Sequence, residues 1–203
     1  MSVSSASVTS ALASRLYALQ VEQLAHDEAF HKDVLLLPLA DRIKHMALHN
    51  AKYVGYLVDA VDGGDGGRFE AVLTDAFIIS LATANMLNQD LGRALASGGQ
   101  EGDLTSLGAA LAESVGRTAD DLFAFVKAYA RVTSQLAKAC ESWDHMEDLP
   151  YVAMMRASNI DLFKLVAAEA ALRSLDLEAL FRARLRVIER RSIFHATLSA
   201  GRS

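Results

Sequence analysis

Two acids open mostly apolar stretches of the chain, Asp75 between Thr74 and Leu87 and Asp161 between Ile160 and Leu172, where Lys164 and Glu169 follow. A carboxylate on a core helix can hold a divalent cation, position a metal-bound water, or neutralise a buried cation. The first acid is preceded by His45, His49 and Lys52, and helical spacing of four and three residues would put these on one face. Such a face brings two imidazoles and an ammonium together on the helix that precedes Asp75. His45, Asn85 and Lys138 join Lys52 as candidate ligand-binding residues. The second acid has its own candidate metal set in Asp161, Glu141 and Asp144, with Glu147 and Asp148 nearby. His45, His49 and Asp75 would alternatively make a transition-metal site, since imidazoles four apart can meet one ion. The simpler expectation is one packed and one solvated histidine. His26, Asp27, Glu28, His31, Lys32 and Asp33 read as a solvated helix end whose residues spread around the helix rather than converge.

These residues need rigid elements to position them, and the composition points to helices. Of the 203 residues 52% are hydrophobic and 22% charged, with two prolines and few aromatics. Helical patterns run from about Ser10 to Lys32, Leu39 to Ala60, Phe69 to Leu87, Asp90 to Ala96, Asp103 to Val115, Thr118 to Trp143, Tyr151 to Arg173 and Asp176 to Phe194. Thr118 is the expected cap of the sixth, and Gly116 the stop before it. The run Asp62-Gly63-Gly64-Asp65-Gly66-Gly67 is a hairpin loop between antiparallel helices. It lacks the Gly-Lys-Ser/Thr ending and the preceding strand of a P-loop. The expected organisation is a tail and helix over 1–38, a helical repeat over 39–97, a linker with a short helix over 98–117, a second repeat over 118–197, and a tail over 198–203.

The two acids belong to a repeat. Shifting the chain by 86 residues aligns Ala51-Lys52 with Ala137-Lys138, Asp75 with Asp161, Phe77 with Phe163, Ala82 and Ala84 with Ala168 and Ala170, and Asp90-Leu91 with Asp176-Leu177. The expected fold is therefore an all-α antiparallel bundle of two related helix-loop-helix units, a fused pseudo-dimer.

This frame resembles the MazG-like all-α nucleoside triphosphate pyrophosphohydrolases, whose helices carry Glu-x-x-Glu and, after a loop, Glu-x-x-Asp, followed by a further acid and a short Leu- and Arg-rich helix. The resemblance covers residues 42–95 and 125–192. It implies a helical dimer or fused dimer in which acids bind Mg²⁺ that holds a triphosphate; in an active member of that kind, Lys52 and His49 would contact phosphate oxygens, Asp75 and Glu70 would hold Mg²⁺ or Mn²⁺, and a metal-bound water would attack phosphorus. At the Glu-x-x-Glu positions, however, stand His49-x-x-Lys52 and Gln135-x-x-Lys138, and Glu-x-x-Asp has become Val72-x-x-Asp75 and Ser158-x-x-Asp161. Lysine in place of glutamate removes both a ligand and favourable charge for Mg²⁺. Ion pairs Lys52–Asp75 and Lys138–Asp161 are the expected replacement for the metal.

The resulting expectation is a MazG-like protein that binds a nucleotide or phosphorylated small molecule more than it hydrolyses one. The alternatives are an active Mg²⁺- or Mn²⁺-dependent pyrophosphohydrolase with a non-standard site, and a helical protein-interaction module. A metal-free state fits the pattern equally well. The net charge of −5 speaks against nucleic acid, although Arg182, Arg184, Arg186, Arg190 and Arg191 give the last helix a basic side. No membrane partner is expected, because the longest apolar run, Ala71 to Leu87, is interrupted by Asp75 and Asn85. A lone Cys140 fits a reducing cytoplasm, and a homodimer is a further expectation.

Overall fold

The structure is a computed structural model, described for residues 11–95, 102–114, 116, 118–119 and 121–193; residues 98–101 of the linker expected over 98–117, and the chain at 1–10 and 194–203, lie outside them. The described residues form α1 (Ala11–Phe30), α2 (Lys32–Leu35), α3 (Leu39–Asp62), α4 (Gly66–Met86), α5 (Leu91–Leu95), α6 (Leu104–Ser114), α7 (Leu122–Asp144), α8 (Tyr151–Leu172) and α9 (Leu177–Arg191), with no strand among them. The all-α expectation therefore holds.

α4 and α8 form the centre of the bundle. α4 packs on α1, α3, α8 and α9, and α8 packs on α4, α6 and α7. Being covered on most sides, α4 is apolar around nearly its whole circumference rather than along one stripe. It is long and apolar enough to cross a membrane, but 72% of its most apolar window is buried against its neighbours, as in a core helix. Its hydroxyl residues need no outside partner: Thr74, Ser80 and Thr83 donate to the carbonyls of Glu70, Ala76 and Ile79, at 2.7–2.9 Å. Phe77 and Phe163 meet at the α4–α8 contact with ring centroids 5.6 Å apart, and Phe181 of α9 closes on Phe77 edge-on at 6.0 Å. Two close crossings require glycine. A Cβ on Gly92 would lie 2.5 Å from the Ala13 carbonyl, and one on Gly108 would overlap the carbonyl of Ala167.

The turns after α4 and α8 are built alike. Leu87, Asn88 and Gln89 donate backbone N–H bonds to Thr83, Asn85 and Ala84; 86 residues later Arg173, Ser174 and Leu175 donate to Glu169, Ala171 and Ala170. Asn88 and Ser174 both take left-handed backbone, at φ 48° and 56°. Asp90 and Asp176 then cap the next short helices, accepting from the N–H of Arg93 and Ala179 at 2.8 and 3.0 Å. The ends of α3 and α7 use the same cap, but at Gly64 and Met146, 82 residues apart, because six residues separate α7 from α8 and three separate α3 from α4. One cap differs from expectation. Asp121, not Thr118, starts α7, its carboxylate accepting from Ala124 N–H at 2.8 Å. Asp is the stronger N-cap of the two, and the apolar pattern beginning at Leu122 places it directly before the helix.

Candidate functional site

The face of α3 that enters the core carries Ile43, Met46, Ala47, Asn50, Tyr53, Leu57 and Ala60. His45, His49 and Lys52 lie along the edge of that face, and they reach a cavity of about 250 Å³ bounded by α1, α2, α3, α4 and α9. Its apolar wall comes from Val34, Leu35, Met46, Ile78, Ile79, Ala82, Met86 and Ile188. Its polar residues are Gln23, His26, Asp27, His31, His45, His49, Lys52, Tyr53, Asp75 and Arg184. Four of the six histidines of the chain thus line one space.

The α3 residues form a directed chain. The Lys52 ammonium lies 3.1 Å from His49 Nδ1, and His49 Nε2 lies 3.1 Å from His45 Nε2. An ammonium only donates, so Nδ1 of His49 is the acceptor, its Nε2–H donates to His45, and the proton of a neutral His45 resides on Nδ1. Burial, then Lys52, His45 and His31, push the His49 pKa down to about 4, so the ring is neutral at pH 7. Lys52 itself is exposed and sits over the rings of Tyr53 and Tyr56, at 4.9 and 5.9 Å from their centroids. Among the described residues no carboxylate forms an ion pair with it.

Asp75 has a different partner from the expected lysine. Arg184 of α9 grips both of its oxygens, Nε to Oδ1 at 2.6 Å and Nη2 to Oδ2 at 2.9 Å. The two side chains are 21% and 37% exposed, so this is a half-buried pair at the cavity wall. The carboxylate holds the Arg184 pKa above its ordinary value, and burial, followed by the nearby Asp75 charge, raises that of Tyr53. The Lys52–Asp75 pair is corrected accordingly: a planar guanidinium on the packed side of α9 matches the carboxylate fork better than a flexible ammonium on the rim of α3. The Lys138–Asp161 pair is corrected too. Lys138 bonds Glu141 at 2.9 Å and Glu147 at 3.1 Å, on its own helix end, and Asp161 is exposed.

Other candidate residues fall elsewhere. Glu70 does not line the cavity, and the Asp75 oxygens that would join it in a metal site are occupied by Arg184. Glu141 and Asp144 are exposed and paired with Lys138 and with Lys44 at 2.6 Å. Asn85 exchanges hydrogen bonds with Gln20 of α1, donating to its carbonyl at 2.8 Å and accepting from its amide at 3.2 Å, which ties α4 to α1. The basic side of α9 is partly spent on internal partners, since Arg182 bonds Glu22 at 3.1 Å while Arg184 turns to Asp75.

The end of α1 departs most from its expected role. His26 and Asp27 are 5% and 9% exposed, and the ligand-capable atoms of His26, Asp27 and His31 lie within 4.8 Å of one another. The helix stops at Phe30, and His31 takes a non-helical conformation (φ −126°, ψ 41°) that folds its ring back toward His26, with centroids 5.5 Å apart. Helical spacing alone would have spread the three. Both ring nitrogens of His26 lack a hydrogen-bond partner, a deficit of about 1–3 kcal/mol for each unsatisfied buried group. The expected solvated helix end is corrected accordingly: α1 stops at Phe30, and His31, between α1 and α2, leaves the helix line.

No protein-family model matches the chain, and no curated protein or solved structure matches it.

Proposed function

We propose that this protein is a helical bundle that binds a phosphorylated small molecule in the α1–α3–α4–α9 cavity, as a non-hydrolytic offshoot of the MazG-like pyrophosphohydrolases. The observation that carries this reading is Lys52: a cation without a carboxylate partner among the described residues, wired through His49 to His45 at the mouth of an apolar cavity. Phosphate oxygens would take the remaining Lys52 donors and the Nδ1–H of His45, and the apolar wall would cover the organic part of the ligand. A volume of about 250 Å³ suits a compact molecule, or the phosphate-proximal part of a nucleotide. Hydrolysis is disfavoured because Asp75, the remnant of the metal motif, is committed to Arg184.

The identical cap geometry after α4 and α8, and the meeting of Phe77 with Phe163, support descent from a duplicated hairpin. A cytoplasmic setting and pairing of two copies complete the proposal. An interaction-module reading draws on a different feature, the exposed apolar residues Tyr17, Val21 and Leu24 on one side of α1.

Calorimetric titration with ATP and with small sugar phosphates, alongside a pyrophosphate-release assay in Mg²⁺ or Mn²⁺, tests the proposal. Saturable binding that is lost in Lys52→Ala, without turnover, is expected. Metal-dependent pyrophosphate release would favour the enzyme reading, and absence of binding to the whole panel would defeat the ligand reading.

A further inference from the structure

We propose that His26, Asp27 and His31 hold one divalent first-row transition-metal ion at the α1–α2 end of the cavity, with open coordination positions facing the cavity. Two observations point there independently. The three donor atoms cluster within 4.8 Å, while ligands of a single ion bound at about 2.0–2.2 Å lie roughly 3.3–3.6 Å apart in tetrahedral coordination, so closure asks for a shift of up to about 1.5 Å. His31 can supply that shift, because it sits at a helix break and is only partly buried. Separately, His26 is almost wholly buried against this space with neither ring nitrogen hydrogen-bonded, the Asp27 carboxylate lying 3.8 Å from Nδ1, and a ligand bond would satisfy one of the two nitrogens.

The surroundings match what metal ligands require. Gln23, itself buried, donates from Nε2 to Asp27 Oδ1 at 2.8 Å and fixes the carboxylate, the usual outer contact of a ligating acid. The His31 N–H bonds the Asp27 carbonyl at 2.9 Å, holding the ligand segment together. Two imidazoles and one carboxylate select ions such as Zn²⁺, Co²⁺, Ni²⁺ or Fe²⁺ over Mg²⁺ and Ca²⁺, which prefer all-oxygen shells. A three-ligand set leaves positions for water or for a ligand atom in the cavity.

The test titrates chelator-stripped full-length protein, in phosphate-free buffer, with Co²⁺ followed by visible absorption and with Zn²⁺ followed by calorimetry. One ion per chain is expected, with affinity reduced more than about 100-fold in His31→Ala and in Asp27→Asn, beyond the loss typical of an outer contact. His31 is partly exposed, so His31→Ala should keep the wild-type circular dichroism and melting temperature even if His26→Gln does not fold. His145→Ala, at the exposed end of α7, should bind as wild type. Failure to take up a stoichiometric ion overturns the proposal, as does uptake that survives both variants or is lost in His45→Ala while His31→Ala is silent. Because Lys52→Ala should keep the metal while losing phosphorylated ligands, either reading can fail without the other.

Discussion

Lys52 and Asp75 in the first half of the chain, and Lys138 and Asp161 in the second, occupy matching places in the sequence and unlike places in the molecule. Asp75 faces α9 and is gripped by Arg184, whereas Asp161 looks into solvent. Lys52 bonds His49 at the cavity rim, while Lys138 bonds Glu141 and Glu147 at a helix end. Similar motifs therefore carry different chemistry because their neighbours differ and, for the lysines, because the ends of α3 and α7 match 82 rather than 86 residues apart, which puts Lys138 six residues from its helix end and Lys52 ten from its own. α1, α2 and α9 close a pocket over the first half, and the α7–α8 turn is three residues longer than the α3–α4 turn, which places Glu147 within reach of Lys138.

The two halves should behave alike in the core and differently at the site. The largest effect is expected at the shared contact: Phe77→Ala and Phe163→Ala should each cost about 3–5 kcal/mol in chemical denaturation, since each empties a fully buried ring site. A small cost at one of them would break the likeness. Next comes the acid pair. Asp75→Ala should cost about 1–2 kcal/mol, because it strands a partly buried Arg184, and Asp161→Ala should stay within about 0.5 kcal/mol. Equal costs would mean the environments are not as different as the ion pair implies.

A smaller effect concerns pH. His49 has a folded pKa of about 4 against an ordinary value of 6.5, so between those values the unfolded chain binds the extra proton. Stability contributed by neutral His49 is thus complete above pH 6.5 and is lost as pH falls toward 4, by at most about 1.4 kcal/mol per unit and less with solvent screening. Denaturation midpoints measured across this window should slope in wild type and flatten in His49→Gln. The second half has no histidine at the corresponding Gln135, and Gln135→Ala should leave the slope unchanged.

The helices were legible in the sequence because apolar periodicity and turn residues agree at most boundaries; the α3 face and the Tyr151 start after Pro150 are examples, whereas Gly66 and Gly67, expected in the hairpin loop, form the first turn of α4 behind the Asp65 cap. The grouping of His45, His49, Lys52 and Asp75 around one space also follows from spacing on α3 and from the short α3–α4 hairpin. What spacing does not carry is the third element. Arg184 lies 109 residues from Asp75, and its approach depends on how α9 packs on α4. The signal was faint but present, since Leu177, Phe181 and Leu185 define the buried side of α9 and Arg184 adjoins it. His31 escaped for the opposite reason: its place is set by a local break in α1, where extrapolating the helix points it away from His26.

The most direct test of a functional first half and a structural second half is parallel calorimetric titration of ATP, or of the best-bound sugar phosphate, into Lys52→Ala and Lys138→Ala. Loss of one charge-assisted phosphate contact, about 1.5–3 kcal/mol, should weaken binding roughly 10- to 100-fold in Lys52→Ala and leave Lys138→Ala at wild-type affinity. Equal weakening in both, or weakening in Lys138→Ala alone, would contradict the assignment of the site to the first-half cavity.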